Sequence, residues 1–312
     1  MSATASRNAL EKCREAAVST AWAQWSVLGG QVGGQFRAPT AVVDPEATIL
    51  FSCAMRDAEP RLWDLIAGFV AEGSALLSVQ RMRNLSANYP RSVGAILAEV
   101  AVVATLDGKD ARWRPLAEHA SPRSYRQGKV YRPTARVAEP PALVLRLRLG
   151  FGVHARTDAL VFLLATAPSS ATAREVAEAT GYGSTPVRRA LEAMATARVI
   201  GTEGSRPERY HAYGDRWEAL LDHGYHAAAW RYWQSVFVFL ANAFEWAGSE
   251  RAKGLSPYLK SSQARELVMA HRPAFARNRI PVPEPSDYRG EEYLEGFDRT
   301  LDAVTVWLEE NT

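Results

Sequence analysis

"GYGSTPVRRALEAM", residues 181–194, sets two arginines side by side on a short helical stretch, and "ARVIGTEGSRPERYHAY", residues 197–213, follows it. At about 100° per residue, Val187, Ala190, Leu191 and Met194 fall on one side, the side that must be buried. Thr185, Arg189 and Glu192 point away from that stripe, with Arg188 on its flank. Upstream, "ATAREVAEAT" carries Thr172 followed three residues on by Glu175, the spacing of a capping box. That helix turns Val176 and Ala177 inward, and "GYG" ends it, because glycine supplies the positive φ of a tight turn. Thr185 is expected to cap the second helix, with Pro186 at its first position, where a missing N–H costs nothing. Two short helices joined by a glycine-containing turn form a helix-turn-helix.

Beyond the second helix, "RVIGTE" and "ERYHAY" are β-like runs, and "GSRP" between them has turn chemistry. Arg206 then stands at the tip and Arg209 on the return strand, while "TDALVFLLATA" supplies a helix behind the pair. This order of features, over roughly residues 146–215, resembles the winged helix-turn-helix domain of GntR- and MarR-type bacterial transcription regulators. The resemblance implies DNA binding, and it gives Arg188, directly after the first buried residue of the recognition helix, a DNA contact. The sequence departs from those families in placing the module mid-chain, between long regions that match no known effector domain. Adjacent outward arginines suit a major groove, where guanidinium bonds guanine edges or braces phosphates. Ser184 and Thr185, at the helix N-terminus, lie where the dipole favours an anion.

The 312-residue chain has room for two domains, and 47% hydrophobic residues are enough for a core. Residues 1–120 read as a helical domain, with Asp44–Pro45 a strong helix start and Ser78 a cap. Residues 121–141, with four prolines and no apolar periodicity, read as a basic linker whose arginines, lysine and tyrosines could follow a phosphate backbone. Residues 142–215 are the winged helix. Residues 216–312 read as a helical dimerisation or sensing region with an aromatic run, a helix from Ser256 to His271, a Pro-rich loop, and a last amphipathic helix over 291–310. The expected fold class is therefore mainly α, with one small β-hairpin.

Net charge is only +3, but its distribution is uneven. Residues 122–156 hold eight Lys/Arg and one acid, whereas residues 286–312 hold eight Asp/Glu and two arginines. Such separation can present a positive face to a polyanion. Two cysteines, Cys13 and Cys53, are too few for a disulfide framework or a zinc site. The start of the chain does not read as a signal peptide, and the longest apolar run, around 235–247, falls short of a membrane span. A cytoplasmic location and no membrane are expected.

"LGGQVGG", residues 28–34, lacks the strand context and Lys-Ser/Thr ending of a phosphate loop, so it reads as a connection. His211, His223 and His226 near Asp215 and Asp222 read as polar surface rather than metal ligands. The aromatic run Trp217, Tyr225, Trp230, Tyr232, Trp233, Phe237, Phe239, Phe244 and Trp246 reads as core or dimer interface, with an effector pocket the alternative. The expectation is a DNA-binding transcriptional regulator, a homodimeric repressor, that meets double-stranded DNA through Ser184, Thr185, Arg188, Arg189, Arg206 and Arg209. It is not expected to be an enzyme, and no cofactor, metal or catalytic set is expected; a small-molecule effector or protein partner fits the outer regions. The alternative is an antitoxin-like interaction module that uses the winged helix for partner contact.

Overall fold

Asp44 and Pro45 open a helix as expected: the Asp44 carboxylate accepts from the Ala47 N–H at 3.0 Å, with proline in the first turn. A computed structural model describes residues 3–30, 39–120, 135–221 and 227–312. The N-terminal helices are α1 (Ala3–Val27), α2 (Pro45–Ala54), α3 (Arg61–Gly73), α4 (Val79–Ser86), α5 (Arg91–Leu106) and α6 (Arg114–Ala117). The central segment contributes α7 (Leu143–Phe151), α8 (Ala155–Thr166), β1 (Ala171–Thr172), α9 (Ala173–Thr180), α10 (Ser184–Thr196), β2 (Ile200–Glu203) and β3 (Arg209–Ala212). After these come α11 (Gly214–Leu221), α12 (Trp233–Gly248), α13 (Glu250–Lys253), α14 (Pro257–Asn278) and α15 (Tyr293–Glu310). The molecule is mainly helical with one small antiparallel sheet, the expected class.

The helices before and after the central segment share a single apolar core. Along α1, Cys13, Ala17 and Ala21 are fully buried, and α15 packs there with Leu301, Val304 and Leu308. Small residues on α1 let the two helices approach closely. Phe51 of α2 stacks on Phe237 of α12 with ring centroids 4.3 Å apart, and Trp233 meets Trp307 edge-on at 4.9 Å. Each such side chain contributes about 1.5–3 kcal/mol by leaving water.

A second core belongs to the central segment. Here β3 lies between β1 and β2, and Tyr210 is paired with Ala171 on one side and Thr202 on the other. The capping box at α9 is formed: Thr172 Oγ1 accepts from the Glu175 N–H at 3.2 Å, and the Glu175 carboxylate accepts from the Thr172 N–H at 2.7 Å. Gly181 closes α9 at φ +72°, and a Cβ there would stand 2.8 Å from Leu85 of α4. Gly181→Ala should therefore cost about 1–3 kcal/mol in denaturant unfolding, from left-handed backbone strain and the displacement of the Leu85 side chain.

Some local expectations are corrected. Helix α10 begins at Ser184 with Gly183 as its cap residue, so Thr185 lies in the first turn and is not the N-cap. Pro186 remains in that turn, where its missing N–H is still one of the orphans. Helix α14 does not stop at His271 but continues through Pro273 to Asn278. Burial of Ala274, Phe275 and Asn278 offsets the hydrogen bond that proline removes. The aromatic-rich region is not continuous helix. Between α11 and α12, Ala229 bridges Ala41 in parallel, accepting from the Val42 N–H at 2.9 Å, while the Trp230 N–H donates to Ala165 O at 3.1 Å. Residues 121–134 of the expected linker lie outside the described residues; beyond them, the Arg136 N–H donates to Val27 O at 3.0 Å.

Candidate nucleic-acid interface

Burial on α10 follows the expected stripe. Val187, Ala190, Leu191 and Met194 are buried, whereas Ser184, Thr185, Arg188, Arg189 and Glu192 are exposed. The first-turn N–H groups have no side-chain cap at Gly183, so they and the helix dipole face solvent beside the two arginines. Arg188 keeps 63% of its side chain exposed, and its Nε lies 3.9 Å from the Glu192 carboxylate one turn on, too long for a hydrogen bond. Such an exposed pair contributes little and leaves the guanidinium available. Arg189 lines a groove of about 660 Å³ bounded by Ser78–Gln80 of the α4 start and Val153–Arg156 of the α8 start, with Arg112 and Arg156 as further cations.

The hairpin places its two arginines differently. Arg206 is exposed in the turn between β2 and β3. Arg209, expected at the interface, is half-buried on the central strand. Its Nε donates to Ser170 Oγ at 3.0 Å and its Nη2 to Ser170 O at 2.6 Å, with the Glu175 carboxylate 3.3 Å away. Those bonds tie β3 to the residue before β1 and hold the Arg209 guanidinium against the sheet. Of the expected contact set, then, Ser184, Thr185, Arg188 and Arg189 stand on one helical surface, Arg206 stands on the turn, and Arg209 braces the sheet.

The positive run over residues 122–156 is not all surface. Arg148 is fully buried and Arg146 donates to Leu221 O. Arg148 belongs to a group of five charges that sequence reasoning missed. Its guanidinium donates to both Asp158 oxygens at 2.9 and 2.6 Å, to Glu46 at 2.6 Å and to Leu76 O at 2.8 Å. Arg81 of α4 donates to Asp44 at 2.7 Å and to Glu46 at 2.5 Å. All five side chains are almost or wholly out of water. Burial alone would raise the Glu46 carboxyl, but the guanidiniums of Arg148 and Arg81 outweigh it and hold it down at about 2. In sequence the signal was faint: an arginine inside the apolar run "LVLRLRLG", and an aspartate that already served as a cap.

This network also fixes the helix-turn-helix. The carbonyls at the end of α9 have no partner within the helix, and the surrounding body supplies donors to them. Arg81 Nε donates to Thr180 O at 2.5 Å, and Asn84 Nδ2 donates to Gly181 O at 3.0 Å. Gln234 Nε2 of α12 reaches Glu178 O at 2.9 Å and Ala179 O at 3.2 Å. Three side chains from α4 and α12 thus clamp the turn that aims α10.

Other sequence signals do not gather into a site. The expected aromatic run divides: Trp233, Phe237, Phe239 and Phe244 are buried in the shared core, and Trp217 and Trp230 pack on the central unit. Tyr225, Asp222, His223 and His226 lie outside the described residues, as do residues 31–34 of the glycine-rich stretch. Among the described residues, no three of His, Cys, Asp and Glu come together to hold a metal, and no helix is long and apolar enough to cross a membrane. Neither a known family model, nor a curated protein, nor a solved structure matches the chain.

Proposed function

We propose that the protein is a sequence-specific, double-stranded-DNA-binding transcriptional regulator acting as a homodimer, the role implied by the likeness of residues 146–215 to winged helix-turn-helix regulators. The observation that carries this reading is the solvent-facing start of α10, where Ser184, Thr185, Arg188 and Arg189 surround an uncapped helix N-terminus. Arg188 and Arg189 meet base edges and nearby phosphates in the major groove, the first-turn N–H groups take a phosphate, and Arg206 reaches the backbone or minor groove from the hairpin turn. Arg209 supports them by holding β3 against β1. One short recognition helix reads few base pairs, so a two-fold dimer multiplies the information.

A gel shift against the DNA upstream of the chain's own coding sequence, at two salt concentrations, tests this. Specific binding should weaken steeply as salt rises, because each phosphate contact releases condensed counterions. Sedimentation should give about twice the 34.3 kDa chain mass. No retardation, or retardation indifferent to salt, would remove the reading. A second reading, contact with another protein, is favoured by one feature. Leu149, Phe151 and Leu220 are more than half exposed, and Phe151 lies edge-on to Trp217 at 6.2 Å.

A further inference from the structure

Between the central unit and the helical body, opposite in character to the shared apolar core, lies a cavity of about 550 Å³. Its lining includes four arginines, Arg209, Arg231, Arg277 and Arg279, against two carboxylates, Glu175 and Glu310. Arg209 is already beside Glu175, and Arg277 is paired with Glu178. Arg231 and Arg279 remain, and neither has a carboxylate partner among the described residues. Burial, and then the positive charge of Arg279 nearby, lower the pKa of Arg231.

The site is also built. Arg231 is oriented by Asn311 Oδ1, which accepts from its Nε at 2.6 Å, and by Trp230 O, which accepts from Nη1 at 3.1 Å. Asn278 holds the adjoining extended segment, accepting from the Tyr232 N–H at 3.0 Å and donating to Ala274 O at 3.0 Å. Arg279 sits at the end of α14, where the left-handed backbone at φ +56° ends the helix. Trp230, Tyr232 and Trp307 give the cavity flat apolar walls. Guanidiniums recognise oxyanions through short, charge-assisted bonds, Arg231 being held in place for it, and rings recognise rings.

We infer that this cavity binds a small aromatic oxyanion, an aryl phosphate or aryl carboxylate, with Arg231 and Arg279 holding the anionic group and Trp230, Tyr232 and Trp307 flanking the ring. Ser169–Ala171 and Arg209 come from the central unit, whereas Arg277–Arg279, Trp307 and Asn311 come from the body. A ligand here bridges the two, and its service as an effector rests on the DNA-binding role proposed above.

Isothermal titration of the full-length protein at pH 7 and low salt tests the site, with phenyl phosphate, benzoate, inorganic phosphate and benzyl alcohol as probes. Saturable one-to-one binding of phenyl phosphate or benzoate is expected, tighter than that of inorganic phosphate or benzyl alcohol, and the two aryl arms tell phosphate from carboxylate recognition. Arg279→Gln, on an exposed residue, should weaken the aryl oxyanion by roughly tenfold or more, the loss expected for a charge-assisted bond. Arg231→Gln, checked for folding by circular dichroism, should do the same. Lack of saturable heat with both aryl oxyanions, equal binding of benzyl alcohol, or undiminished affinity in Arg279→Gln would overturn the inference. The titration contains no DNA, so its failure leaves the DNA-binding role standing, and a failed gel shift leaves the cavity's chemistry standing.

Discussion

Arg148→Met should lower the unfolding free energy by about 3–5 kcal/mol, measured by urea denaturation, the loss expected when one partner of a buried ion pair is removed. The volume is nearly kept, so the effect is electrostatic. Asp158 and Glu46 would lose the guanidinium that supplies them with hydrogen bonds between 2.6 and 3.2 Å, in a region closed to water. Arg148→Lys should fall between the two proteins, because it keeps the charge but not the fork that serves both carboxylates. A loss below about 1 kcal/mol in Arg148→Met would mean that the network is not a determinant of stability.

The same network predicts an acid limit. Glu46 has a folded pKa of about 2, below its ordinary value of 4.5, so the unfolded chain binds more protons as pH falls between these values. Its contribution is complete above pH 4.5, declines through the window, and is gone near 2. The acid-unfolding midpoint of Arg148→Met should therefore lie higher than that of the parent, since the variant begins less stable and has lost a cation that kept Glu46 ionised.

Arg189→Ala and Arg188→Ala are each expected to weaken operator binding by about 1–3 kcal/mol, with unfolding unchanged within about 0.5 kcal/mol. Both side chains are exposed, and neither holds the fold together. An arginine that reads a base should relax specificity at one position, whereas one that braces a phosphate should weaken all sequences alike and reduce the salt slope by about one. Arg209→Ala is the contrasting case. Its bonds to Ser170 and its closeness to Glu175 place its effect on unfolding as well as on DNA. Unchanged operator affinity in the Arg188/Arg189 double variant would exclude α10 as the reading helix.

Local signals were legible where local chemistry decides the backbone. The Thr172–Glu175 box, the left-handed Gly181, the Ser78 cap and the α10 stripe all follow from residues within about two turns of each other. The extension of α14 past Pro273 was not legible, because burial of Phe275 against distant helices outweighs the local cost of proline. Nor was the role of Arg209, expected among the DNA contacts from the return strand, where its guanidinium instead donates to Ser170, far off in sequence.

From the order of residues alone came a mainly helical chain, a helix-turn-helix with a hairpin, and the outward arginines of α10, since periodicity and capping act over a few residues. Only the tertiary structure decided that helices from both ends of the chain share one core, that Arg81 and Arg148 are enclosed with Asp44, Glu46 and Asp158, and that guanidiniums gather around the cavity at Arg231. The reason is desolvation: whether a charged side chain meets water or a partner depends on which distant segments surround it, and residues 46 and 148 become neighbours only after folding.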